Sequence, residues 1–264
     1  MTHASGIILP ARAVWTARCA MLALAGNLFS IGAVIFWIYY ARYLFAVLRP
    51  SYVAVQPATI SRAISVPAVG EPFAIWITIS AILLVFGVFW LSQFYRRIGA
   101  QIASPSRYLA RMMTYGAPAI VLLQALSGVG MYMLSSYRFP HHHELHMTGS
   151  FLFFISQALV VVIGTLQCDA LLKDRANFAA LARAGAVSYR MVLLRKRLGQ
   201  VVIAMSLIYV CLFKMKDVDL DTMNTAIYAA YTMTEPLLIT MFLVFLGLFQ
   251  TDLLTLRRMA QLSS

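Results

Sequence analysis

Residues 19–46 read CAMLALAGNLFSIGAVIFWIYYARYLFA, and this stretch decides the class of fold. Arg42 is its only charged residue, and it is longer than the ~20 apolar residues that a helix needs to cross a bilayer. Over the whole chain, 61% of the 264 residues are hydrophobic and 11% are charged, whereas about a quarter are charged in soluble domains. The sequence therefore excludes a soluble globular protein and predicts an integral membrane protein.

Windows of similar length and low charge recur along the rest of the chain. With the first stretch they give six predicted spans, at about 19–46, 73–95, 112–135, 147–171, 198–213 and 225–251. A basic stretch precedes the fifth window and extends it backward. No internal repeat or low-complexity linker separates the windows, so the sequence predicts one domain over residues 1–264. Its predicted fold class is all-α, a bundle of six transmembrane helices.

Lysine and arginine are distributed unevenly between the two sides of this predicted bundle. All but six of the 21 lysines and arginines lie on the side that carries both termini; the exceptions are Arg42, Arg49, Arg62, Arg138, Lys214 and Lys216. Loops that face the cytoplasm are enriched in these residues, so both termini are expected to be cytoplasmic. The same bias accounts for the net charge of +12 without a nucleic acid partner. The basic loop predicted at 172–197 is expected to contact anionic lipid or a membrane-protein partner.

Polar side chains inside the spans are costly in lipid, so each of them needs an explanation. Glu235 precedes Pro236 in the sixth span, where the proline frees a backbone carbonyl. It is either a functional acid or a structural group that bonds to a carbonyl, to Gln124 or to Gln157. Gln124 and Gln157 themselves are predicted to join spans three and four by hydrogen bonds.

Acids and small residues near the span ends and crossings have simpler interpretations. Asp169 and Asp252 lie at the ends of spans four and six, where they are expected to pair with Lys173, Arg257 or Arg258. Small residues in spans three and four are expected to let helices approach closely. These residues are Ser127, Gly128, Gly130, Gly149 and Gly164.

Residues 140–146 read PHHHELH and form the segment richest in reactive side chains. His142 and His146 are four residues apart, and His143 and His146 are three apart, which resembles half of a metal site. A further ligand would have to come from the acids on the same side, namely Glu71, Glu144, Asp217, Asp219 or Asp221. A divalent metal site, a pH-sensing or phosphate contact and a polar helix cap all stay open. The sequence predicts no other cofactor.

The order of several short motifs resembles a known family of membrane proteins. The motifs are PATIS at 57–61, Glu71-Pro72 at the start of span two, LSGVGM at 126–131, HMTGSFLFF at 146–154, and Glu235 with Asp252 in the last span. Over residues 20–257 they are similar to the damage-regulated autophagy modulator family (DRAM). That family is grouped with the FGF-receptor activating gene proteins (FRAG) and the yeast suppressor of four kinase (SFK). Members that remodel glycosylphosphatidylinositol lipids have an acid where this chain has Gln124.

The resemblance implies a multi-pass protein of the plasma membrane or of endomembranes such as Golgi, endosome and lysosome, with the mitochondrial inner membrane as the alternative. It implies a regulator, rather than an enzyme, that organises lipids or recruits partners in autophagy, lipid-anchor or phosphoinositide-related processes. One alternative is a lipid-remodelling enzyme or enzyme subunit, with Glu235, His146, Glu71 and Ser61 as candidate catalytic residues at the non-cytoplasmic mouth. Another is an accessory subunit of a larger membrane complex. Loop 49–72 is expected to cap the mouth, with Ser61 and Glu71 facing His146.

Overall fold

A computed structural model describes residues 13–102, 104–183, 185–218 and 223–262, which fold almost entirely as helices. The helices are α1 (Ala13–Leu48), α2 (Pro50–Val53), α3 (Ile60–Ala63), α4 (Pro67–Gln101), α5 (Arg107–Arg111), α6 (Ala117–Ser136), α7 (His143–Lys173), α8 (Arg175–Arg183), α9 (Tyr189–Met215) and α10 (Asn224–Leu262). A π-helical turn, Met112–Gly116, joins α5 to α6.

Six segments within the described residues are long and apolar enough to cross a membrane. They are Arg18–Leu48, Pro67–Arg96, Arg107–Ser136, His143–Lys173, Tyr189–Met215 and Asn224–Leu254. Each of them contains one of the windows predicted from the sequence. The predicted fold class, an all-α bundle with six spans, is confirmed.

The six long helices form a ring that follows the order of the chain. α1 packs on α4, α4 on α6, α6 on α7, α7 on α9, α9 on α10, and α10 closes the ring on α1. Within the membrane windows, α10 and α7 are the most buried helices and α9 is the least buried. α9 therefore forms an outer wall between α7 and α10.

Two segments predicted as loops contain helices instead. In segment 49–72, Pro50 and Pro67 are the first residues of α2 and α4, a position where a missing backbone N–H costs nothing. In segment 172–197, the chain forms α8 and the first turns of α9, so the basic stretch before the fifth span is helical. We call the end of the bundle with residues 49–66 and 137–142 the histidine end, and the end with α8 the basic end.

The orientation of the bundle in the membrane is a prediction that single cysteines can test. In a variant without Cys19, Cys168 and Cys211, cysteine is placed at Glu144, exposed at the histidine end, or at Arg190, exposed at the basic end. For protein expressed at the plasma membrane, a membrane-impermeant thiol reagent should label the first variant in intact cells and the second only after permeabilisation. Labelling of position 190 in intact cells would reverse the predicted orientation.

Candidate functional site at the histidine end

Ser61 and His146 are in contact at the histidine end, although they are 85 residues apart in the chain. Nε2 of His146 lies 2.8 Å from Oγ of Ser61, and Nδ1 lies 3.0 Å from the carbonyl oxygen of Tyr137. The imidazole is only 1% exposed, and the ring of Phe139 packs against its edge. Both ring nitrogens therefore have partners, and the orientation of the ring is fixed.

The short helix α3 positions Ser61. Its first turn is capped by Thr59, whose hydroxyl accepts a hydrogen bond from the backbone N–H of Arg62. Ile60, Ala63 and Ile64 are buried against the bundle, so the apolar face of α3 anchors it to the mouth. The segment caps the histidine end, and the prediction that Ser61 faces His146 agrees with this geometry.

Glu235 of α10 holds the same short helix from the other side. Its Oε2 accepts a hydrogen bond of 2.9 Å from the backbone N–H of Ile60, the residue before Ser61. The carboxyl group is 5% exposed. The sequence had suggested Gln124 or Gln157 as a partner of Glu235, but the structure shows no hydrogen bond to either of them. Glu235 instead joins α10 to α3 and fixes the backbone next to Ser61.

We expect Glu235→Leu to detach α3, because it removes the acceptor for Ile60 and leaves that N–H unpaired. The free energy that holds α3 on the bundle should fall by about 1 kcal/mol, the usual contribution of an intramembrane hydrogen bond. Glu235→Gln keeps an acceptor oxygen and serves as the control. Arg62 is exposed within α3, so cleavage by trypsin after Arg62 reports on local opening. Cleavage of Glu235→Leu no faster than wild type would contradict the assigned role.

A cavity of about 280 Å³ opens beside this contact, between α7, α9 and α10. Its polar wall contains Ser61, Tyr209, Lys214, Tyr231 and Glu235. The hydroxyls of Tyr209 and Tyr231 lie 3.5 Å apart, and their rings are stacked. These polar groups all lie toward the histidine end, because α9 ends there and α10 begins there.

The deeper wall of the cavity is apolar. Phe154, Leu238 and Phe242 line it, together with Ser150 and Ser206. The two serine hydroxyls donate to the carbonyls of His146 and Val202 in their own helices, at 2.9 and 2.8 Å. They therefore present little unsatisfied polarity, and the cavity changes from polar at its mouth to apolar inside the bilayer.

The other residues predicted for this site lie apart from the Ser61–His146 contact. Glu71 is exposed and does not line the cavity. His142 and His143 are exposed, while His146 points inward. Within the described ranges, no three His, Cys, Asp or Glu side chains are grouped closely enough to hold a metal ion. Of the other suggested ligands, Asp217 pairs with Lys216, and Asp219 and Asp221 lie outside the described residues.

Gln124 and Gln157 join α6 to α7, as predicted. The side-chain amide of Gln157 donates to Oε1 of Gln124 at 3.0 Å and to Oγ of Ser127 at 2.7 Å. All three side chains are buried. Nε2 of Gln124 and Oε1 of Gln157 have no hydrogen-bond partner among the described residues. The hydrogen bonds that do form cross the interface between the two helices, which is a structural role.

Asp252 has a different partner from the one predicted. Arg195, only 1% exposed, donates from both terminal nitrogens to the two carboxylate oxygens of Asp252, and its Nε donates to the carbonyl of Leu248 at 3.0 Å. Tyr95 donates to the same carboxylate. From the sequence, Arg195 was assigned to the basic loop predicted at 172–197, and its pairing with Asp252 was not predicted. Its helical spacing from the apolar Val192 and Val202 was the available signal.

Asp169 forms two ion pairs at the basic end, one of which was predicted. Lys173 contacts it at 2.8 Å, as expected, and Lys196 contacts it at 2.7 Å. Nearby, the backbone N–H of Ser106 donates to Asp174 and lowers the pKa of that carboxyl group below its usual range. Lys173 is nevertheless exposed, as are the remaining basic side chains of 172–197, which are Arg175, Arg183, Arg190 and Arg197.

Comparisons with known proteins place this architecture in a family. Residues 18–256 match the family model described as the Frag1/DRAM/Sfk1/Cwh43P N-terminal domain. No curated protein and no solved structure shows significant similarity to the chain. The match covers all six spans, α3 and both residues of the Ser61–His146 contact. The resemblance seen in the short motifs is therefore confirmed, and the chain belongs to the Frag1/DRAM/Sfk1 family of membrane proteins.

Proposed function

We propose that the protein is a membrane regulator that binds and organises lipid, and that the cavity between α7, α9 and α10 holds one lipid molecule. The observation that carries this proposal is the polarity of the cavity. Its mouth presents Lys214, Tyr231 and Glu235, whereas Phe154 and Phe242 line its deeper part. A molecule with a polar head and an apolar tail matches this distribution, and a compact polar solute does not.

The dimensions of the cavity favour a chain-like occupant. From Met147 to Leu159 its wall follows α7 for about 18 Å, at about 1.5 Å per residue. This shape fits an acyl chain that enters between α7 and α9, the least buried helix of the ring.

The basic end supports a second contact with lipid. The exposed arginines of α8 and of the first turns of α9 lie where the bundle meets the membrane surface, among them Arg175, Arg183 and Arg190. Arginines at this level attract anionic headgroups. We assign this surface to anionic lipid of the cytoplasmic leaflet, in the plasma membrane or an endomembrane. Roles in autophagy, lipid-anchor or phosphoinositide processes would follow from lipid bound at the two ends.

Filling the cavity is expected to displace its lipid. Val210 lines the cavity and is 55% exposed, while Val201 on the same helix is 52% exposed and does not line it. We expect Val210→Trp to lose the lipid that co-purifies in mild detergent, and Val201→Trp to keep it. Native mass spectrometry gives the number of lipids per chain. Equal retention of lipid by the two variants would contradict the proposal. Neither substitution alters the arginines of the basic end, so a loss of lipid from Val210→Trp cannot be assigned to that surface.

A lipid-remodelling enzyme is the second candidate function. The observation that favours it is the hydrogen bond between Ser61 and His146 at the mouth of the same cavity. In this alternative, the bound lipid is a substrate rather than a regulatory ligand.

A further inference from the structure

We propose that Ser61 is a nucleophile, activated by His146, that accepts the acyl group of a carboxylic ester in a membrane lipid. The inference rests on the lipid-binding cavity proposed above, and it develops the second candidate function, in which the bound lipid is a substrate. It names a reaction, a nucleophile and a base that the family membership does not assign. Three observations carry it: the proton arrangement of the histidine, the access of Ser61 to the cavity, and the anchoring of Ser61.

The partner of Nδ1 fixes the direction of the hydrogen bond between His146 and Ser61. The carbonyl oxygen of Tyr137 can only accept, so Nδ1 carries the ring proton of the neutral imidazole. Nε2 then has a free lone pair, and the hydroxyl of Ser61 donates to it across 2.8 Å. A serine that donates to an imidazole whose other nitrogen is held by an acceptor is the arrangement that activates serine nucleophiles. Here a backbone carbonyl takes the orienting position.

Ser61 is reachable from the bilayer. It lines the cavity at its polar mouth, at the boundary between the polar groups and the apolar wall of Phe154 and Leu238. The ester groups of membrane lipids lie at the same boundary, between headgroup and acyl chain. A lipid whose chain fills the cavity therefore brings an ester to the depth of Ser61, and Lys214 and Tyr231 supply donors for a developing negative charge.

Glu235 is a positioning residue in this scheme. It holds the N–H of Ile60 at 2.9 Å and so fixes the backbone that carries Ser61. Accurate placement of a nucleophile contributes much of the rate in such reactions. Glu235→Gln keeps the acceptor, so it should keep the reactivity of Ser61, whereas Glu235→Leu should lower it.

The reaction needs no oxidant or metal. Oγ of Ser61 attacks the ester carbonyl carbon and its proton moves to Nε2 of His146. The bond between that carbon and the alkoxy oxygen breaks, and the leaving alcohol takes the proton from Nε2, which leaves an acyl-serine. Water or the hydroxyl of a second lipid then gives its proton to Nε2 and attacks the acyl carbon. The bond to Oγ breaks and Ser61 regains its proton.

Covalent labelling with a long-chain alkyl fluorophosphonate tests the proposal in native membranes. Such a probe phosphonylates an activated serine and releases fluoride, so peptide mass spectrometry should find the phosphonate ester on Ser61. Ser61→Ala should abolish it, and His146→Gln should slow labelling by about 10²–10⁴-fold, the range expected for loss of a general base. Ser65→Ala is the matched control, because the hydroxyl of Ser65 donates to the carbonyl of Arg62 and is not activated. It should label like wild type.

Lipid retention separates failure of this proposal from failure of lipid binding. A wild-type protein that keeps its co-purified lipid but shows no adduct on Ser61 overturns the nucleophile and leaves the lipid-binding role intact. An adduct whose rate is unchanged in His146→Gln overturns the assigned base. If His146→Gln loses its fold, three other results still decide the outcome. They are the wild-type adduct, its absence in Ser61→Ala, and the difference in the labelling rate of Ser61 between Glu235→Gln and Glu235→Leu. A lipid-free wild type without an adduct overturns both proposals.

Discussion

Replacing Arg195 with methionine is expected to destabilise the protein by about 3–5 kcal/mol, the cost of leaving one charge of a buried ion pair without its partner. Asp252 is 5% exposed and would keep only the hydroxyl of Tyr95 as a strong donor. The carbonyl of Leu248 would also lose the hydrogen bond from Nε of Arg195. The change should be measured as the free energy of unfolding in lipid–detergent bicelles.

Lys196 provides a neighbouring control for this prediction. It also forms an ion pair, with Asp169, but its side chain is 29% exposed and Lys173 remains as a second partner. Lys196→Met should cost at most ~1 kcal/mol. The double variant with Arg195→Met and Asp252→Leu should recover much of the loss, because no charge is then left unpaired. Equal stability of Arg195→Met and Lys196→Met would contradict the structural role of the buried pair.

Gly130→Ala is expected to destabilise the contact between α6 and α7 by about 1–3 kcal/mol, the usual range for overpacking. A Cβ at position 130 would lie 2.5 Å from the backbone nitrogen of Phe153 and 2.7 Å from the carbonyl oxygen of Gly149. Backbone atoms cannot rotate away, so the two helices would have to separate. The hydrogen bonds of Gln157 to Gln124 and Ser127 cross the same interface and would lengthen.

Gly128 is the matched control, two residues away on the same helix. Its added Cβ would meet the side chain of Val85 at 3.3 Å, which a small rearrangement can relieve. Alanine also favours a helix over glycine, so Gly128→Ala should be nearly neutral. Both variants can be compared by thermal unfolding in detergent. If the two alanine variants have the same stability, close packing at Gly130 does not hold α6 against α7.

The histidine end shows how far residue types predict a site. The sequence singled out Ser61, His146, Glu235 and Glu71. The structure places Ser61 and Glu235 on the wall of one cavity, and His146 in contact with Ser61. Glu71 lies four residues, or about one turn, after Pro67, the first residue of α4, and its side chain is on an exposed face of that helix. The backbone carbonyl of Tyr137 has no sequence signal at all, although it orients His146.

The basic end shows that the distribution of Lys and Arg along the sequence does not predict which of these side chains is buried. The excess of Lys and Arg predicts which side of the membrane a segment occupies, and it treats all cations in that segment alike. Arg195 is nevertheless almost fully buried, while its sequence neighbour Arg197 is exposed. The difference is 200° of helix rotation at about 100° per residue, which turns one side chain toward Asp252 and the other outward.

The sequence by itself determined the number of spans and the class of fold, because both depend on runs of about 20 neighbouring residues and on the cost of unpaired backbone groups in lipid. It also determined that Gln124 and Gln157 would need partners within the bundle. Only the tertiary structure decided which partners meet. Ser61 and His146 come together because α3 folds onto the mouth and α7 begins there, and Arg195 and Asp252 meet because α9 packs on α10. Such pairings depend on helix rotation and on the order of the ring, which no local run of residues specifies.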